Sequence, residues 1–64
     1  MLIKETGAVL DEARRRKEAN KERFVAAAAS GNVEEALAAA KAWREASEIM
    51  RAVFDLYREI TELR

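Results

Sequence analysis

Apolar positions recur along this chain at alternating three- and four-residue steps, on either side of one interruption at Ser30-Gly31-Asn32. Read with those steps, the first half presents Ile3, Thr6, Leu10, Ala13, Lys17, Asn20, Phe24 and Ala27. The second half presents Ala39, Ala42, Ala46, Ile49, Val53, Leu56, Ile60 and Leu63. Such spacing lines up one stripe of a helix, no proline breaks either run, and the residues between are mostly strong helix formers. The pattern predicts an all-α antiparallel two-helix hairpin, a single unit over residues 1–64. Helix 1 is expected over about 3–29, the turn over 30–32 and helix 2 over about 33–63.

The turn is chemically legible. Gly31 can take the left-handed conformation that ends helix 1, and Asn32 is a good N-cap whose side-chain oxygen can accept the backbone N–H of Glu34 or Glu35. Those two glutamates then meet the positive end of the helix 2 dipole. Near the other end, Gly7 costs roughly 1 kcal/mol inside a helix. Leu2, Ile3, Val9 and Leu10 keep helical spacing across it, so helix 1 is expected to run through Gly7.

Folding about Gly31 pairs positions whose numbers sum to about 62, as antiparallel packing requires. Phe24 is then expected over Ala39, Asn20 by Ala42, Lys17 by Ala46, Ala13 by Ile49, Leu10 by Val53, Thr6 by Leu56 and Ile3 by Ile60. Large opposes small near the turn, and larger pairs gather toward the open end. Lys17 and Asn20 are polar interruptions of this seam. Their expected role is register: Asn20 fixes the alignment while Lys17 extends its ammonium toward Glu45. A polar site between the helices is the alternative.

A second stripe on helix 2 is left over: Trp43, Met50, Phe54 and Tyr57. Helix 1 from Asp11 to Arg23 offers only Ala13 and Ala19 as apolar cover, so one helix cannot hide both stripes. These residue types are favoured in association surfaces because they bring large contact area with few rotatable bonds. The expectation is self-association through helix 2 into a homodimeric four-helix bundle, with Trp43, Met50, Phe54 and Tyr57 as the interface. A foreign protein docked on the same stripe is the alternative, and a third arrangement folds Met1 to Val9 over it. Trimers and other higher oligomers stay open.

Composition sharpens this picture mainly by exclusion. The chain has no Cys and no His, so disulfides and thiolate or imidazole metal sites are ruled out. No cofactor is expected. Of the hydrophobic half of the residues, fourteen are alanine, which leaves a small stock of large side chains for a core. Twelve basic and twelve acidic residues cancel, with the first thirty residues mildly basic and the remainder mildly acidic. The two helices therefore attract each other weakly along their length, and no strong field toward nucleic acid or an anionic membrane results. Nothing in the pattern resembles a signal peptide or a membrane span, so a cytoplasmic or heterologously expressed protein is expected.

The segment Ser30-Gly31-Asn32-Val33-Glu34-Glu35-Ala36-Leu37 resembles the G-x-x-x-E-A-L turn between the paired helices of tetratricopeptide-like repeats. The likeness covers about eight residues, whereas a solenoid stacks several repeats. The same turn resembles those of computationally designed helical proteins. With the Ala/Glu/Arg richness and the absence of Cys, His and Pro, that resemblance implies an engineered origin. In architecture alone, the hairpin is similar to Rop, a small RNA-binding hairpin that dimerises into a four-helix bundle, and no binding residues can be matched.

Catalytic chemistry finds no foothold. Arg14-Arg15-Arg16-Lys17 is the densest charge run, but Asp11 with Arg15, Glu12 with Arg16 and Arg14 with Glu18 are spaced for intrahelical pairs, and no aromatics interleave as in a nucleic-acid surface. Ser30 and Ser47 have no histidine to activate them. The glutamate pairs at helical spacing lie beside Lys or Arg, as surface ion pairs do. The sequence reads as a non-enzymatic protein that acts by protein–protein contact.

Overall fold

Backbone hydrogen bonds at Ser30-Gly31-Asn32 end one helix and begin the next. In the computed structural model, which describes residues 2–62, the chain forms helix α1 (Leu2–Ala29) and helix α2 (Val33–Glu62), folded back on one another. Gly31 takes φ 77°, the left-handed conformation that a side chain would disfavour. Its N–H donates to the Ala28 carbonyl at 3.2 Å, and the Asn32 N–H donates to the Ala27 carbonyl at 2.8 Å. This is the paired bonding of a Schellman motif. Asn32 then caps α2: its Oδ1 accepts the Glu35 N–H at 3.1 Å, and its carbonyl accepts the Ala36 N–H at 3.0 Å. Helix α1 continues through Gly7, as its flanking apolar residues required.

Among the described residues, the two helices lie side by side with no further layer above or below. A compact globule of this length would have a radius of gyration of about 11 Å, whereas the hairpin has 14.8 Å, with extents of 51 × 15 × 11 Å. Its centre is a seam of small residues. Ala39 is fully buried, Ala13, Ala27 and Ala46 are 4 % exposed, and Val53 is 8 % exposed. All five lie on the stripes expected from the three- and four-residue steps, and Ala39, Ala46 and Val53 recur at every second turn of α2. Alanines let helix axes approach closely, which brings these positions out of water without large side chains.

That close approach overturns part of the expected packing. Phe24 does not sit over Ala39: it is 42 % exposed, on the flank of the seam beside Lys21, Ala40 and Trp43. A phenyl ring is too large for the gap between backbones drawn together by alanine. For the same reason Ile49 and Leu56, expected in the seam, are 45 % and 57 % exposed on the other flank. Three of the other expected pairs share grooves. Ala13 and Ile49 border one groove, Leu10 and Val53 another, and Thr6 and Leu56 a third. The outermost seam positions, Ile3 and Leu63, lie outside the residues whose side chains are described.

Candidate protein-interaction surface

A single layer of two helices has two open sides, and this sequence makes both apolar. At about 100° per residue, Trp43, Met50, Phe54 and Tyr57 fall on one side of the Ala39–Ala46–Val53 line, and Ala42, Ile49 and Leu56 fall on the other. The grooves follow this division. On the first side, Lys21 and Phe24 meet Ala40 and Trp43, while Thr6, Gly7 and Leu10 meet Val53, Phe54 and Tyr57. On the second, Val9, Glu12, Ala13 and Arg16 meet Ala46 and Ile49, and Thr6 and Val9 meet Val53, Leu56 and Ile60.

The aromatic side is where the sequence placed the interface. Trp43 is 39 % exposed, Phe54 50 % and Tyr57 41 %, with Met50 half-buried between them. Lys17 does not reach for Glu45 as expected. Its Nζ stands 5.3 Å from the centre of the Trp43 ring, a cation–π contact. The reason is angular: Lys17 projects on the Trp43 side of the seam, whereas Glu45 lies around α2 on the Ile49 side. The ammonium of α1 thus lies over a face of the indole of α2, and Trp43 still keeps 39 % of its surface exposed.

Asn20, the other polar seam residue, joins a network across the helices near the turn. Its Nδ2 donates to the Arg16 carbonyl at 2.8 Å, and its Oδ1 accepts from Arg23 Nη1 at 2.8 Å. Arg23 in turn donates through Nε and Nη2 to the two carboxylate oxygens of Glu35, each at 3.0 Å. Both partners respond: the hydrogen bonds and the charge of Arg23 pull the Glu35 carboxyl below its ordinary pKa, and Glu35 raises that of Arg23. Along α1, Glu12 takes both Arg16, at 3.0 Å, and Arg15, so Arg15 turns to Glu12 rather than to the expected Asp11.

Charge borders the two sides unequally. By the same helical projection, the aromatic side is bordered on α1 by Lys4, Arg14, Lys17 and Lys21, against Asp11 and Glu18, and on α2 by Arg44, Arg51 and Arg58, with Glu48 paired to Arg44 beside Trp43, so its margin stays basic on balance. The aliphatic side is bordered on α2 by Glu34, Glu45 and Glu59, against Lys41, while its α1 cations Arg16 and Arg23 are already paired with Glu12 and Glu35.

The second apolar side is what sequence reasoning missed. Its signal was available: Ala42, Ile49 and Leu56 follow one another at steps of seven, offset from the Ala39–Ala46–Val53 row. Both rows fit a three- and four-residue alternation, so counting steps alone merged them into one seam.

Among the described residues no group of His, Cys, Asp and Glu is arranged to hold a metal ion, and no helix is long and apolar enough to cross a membrane. Comparison with protein-family models, with curated proteins and with solved structures finds no match for this chain.

Proposed function

We propose that this hairpin is a non-enzymatic self-association module, whose smallest assembly is a homodimer packed as a four-helix bundle with Trp43, Met50, Phe54 and Tyr57 in the contact. The observation that carries the reading is the poverty of the single hairpin's interior. Among the described residues no large side chain is fully buried, and the buried set is four alanines and Val53. Burial of large apolar side chains is the main favourable term in folding, and here it is withheld until something covers the flanks. A second copy supplies cover of matching length and shape. The aromatic side also has the composition of an association centre, with Trp43 steadied by Lys17 before any partner arrives.

Sedimentation velocity across a range of concentrations tests this directly. The expected result is an assembly of two or more chains that dissociates on dilution, with a melting temperature that rises with concentration. Phe54→Arg should shift the chain to monomer while its helical signal at high concentration falls only modestly. A chain that stays monomeric and fully folded throughout would overturn the reading in favour of a foreign protein partner on the same stripe.

A further inference from the structure

The two open sides of the hairpin differ in charge as well as in shape, and that difference bears on how copies meet. Resting on the self-association reading, we propose that the aromatic side of one copy packs on the aliphatic side of the next, a head-to-tail contact, rather than on another aromatic side. The occupant of the Trp43–Phe54–Tyr57 groove is thus the Val9–Ile49–Leu56 face of a second copy.

The margins decide between the arrangements. Two aromatic sides placed together set Lys17, Lys21 and Arg58 of one copy near the same basic margin of the other, whichever way the helices run. Two aliphatic sides likewise bring Glu34, Glu45 and Glu59 together. Only the unlike combination matches a basic margin to an acidic one, and like-charge juxtaposition at a contact is a strong selector against the wrong pairing. The apolar parts agree: Phe54 and Tyr57 stand out from one side at 50 % and 41 % exposure, while Val9, Ile49 and Leu56 line the opposite side at 49 %, 45 % and 57 %. Each side therefore has unsatisfied apolar area. Head-to-tail contacts on both sides of a copy cover both of its apolar sides, whereas a symmetric dimer leaves one of them bare. Head-to-tail contacts close into rings or grow into open stacks, so the assembly is expected to extend beyond two copies as concentration rises.

Complementation tests the idea. Phe54→Arg damages only the aromatic side and Leu56→Glu only the aliphatic side. If contacts are head-to-tail, each variant alone is monomeric, because every contact needs one intact side of each kind. Mixing them restores a contact between the intact aliphatic side of the first and the intact aromatic side of the second, which sedimentation should report as a one-to-one pair that grows no further. If Leu56→Glu assembles like the unmodified chain while Phe54→Arg does not, the contact is symmetric through the aromatic side and the inference fails, although self-association stands. If neither change alters the assembly, the contact lies on neither side and the head-to-tail inference fails, although the chain still self-associates; if the unmodified chain never associates, the self-association reading fails with it. Monomers that do not pair on mixing also overturn the head-to-tail contact. The unmodified chain offers a check that needs no substitution: raising salt should increase its apparent dissociation constant several-fold for unlike margins, and lower it if like margins meet.

Discussion

Arg23 of α1 grips Glu35 of α2 with a two-pronged hydrogen bond, Nε and Nη2 each 3.0 Å from a different carboxylate oxygen, while Nη1 of the same guanidinium is held at 2.8 Å by Asn20. Asn20, a polar residue of the seam, therefore aims an arginine across the helix pair, close to the turn that joins them.

Because the folded hairpin holds the Glu35 carboxyl below its ordinary value, its contribution to stability is fully present above the unfolded carboxylate pKa, about 4.3, and is lost as pH falls through the folded value. Glu35→Gln should therefore lower the melting temperature at neutral pH, with the difference from the unmodified chain shrinking in acid. Asn20→Ala should move the Glu35 titration, followed by carboxyl NMR shifts, back toward the ordinary range. An unmoved titration would mean that Arg23 needs no guide.

The two glycines should answer alanine with opposite signs. Gly31 has a φ of 77°, so Gly31→Ala is expected to cost about 1–2 kcal/mol. Gly7 is helical with open space where a Cβ would stand, so Gly7→Ala should gain about 1 kcal/mol. Urea denaturation at one fixed protein concentration would measure both.

Ala39 sets the spacing of the helices, being fully buried. Ala39→Leu should cost about 1–3 kcal/mol by overpacking, whereas Ala38→Leu, one position away and exposed, should be close to neutral because leucine and alanine are both good helix formers. Equal effects at the two sites would remove the case for a close-packed alanine seam.

Lys17→Met keeps the length of the side chain and removes the charge over Trp43. The expected loss is about 0.5–1 kcal/mol, the usual range for an exposed cation–π contact. A change in Trp43 fluorescence should accompany it in dilute solution, and an unchanged spectrum would argue against the contact.

The turn was fully legible in the chain, because Gly31 and Asn32 act through their own backbone conformation and their immediate neighbours. The hairpin was legible for a related reason: a stripe of apolar positions with three- and four-residue steps has few ways to fold about one glycine. Position relative to the seam was less visible. Phe24, Ile49 and Leu56 have the right spacing for the interior, yet a residue's spacing says nothing of how far apart the two backbones come to rest. Lys17 was aimed at Glu45 by charge alone, and at Trp43 once the side of each helix was known.

The amino-acid order, acting locally, determined two helices, their turn and the stripe of alanines and aliphatics along which they meet, since propensity, capping and periodicity act over a few residues at a time. Only the packed pair decided that four alanines and Val53 would fill the middle and leave Phe24, Ile49, Phe54, Leu56 and Tyr57 on the flanks, because the distance between helices is a property of both surfaces together. That distance turns one expected seam into a thin centre with an apolar side above and below, bordered by opposite charge.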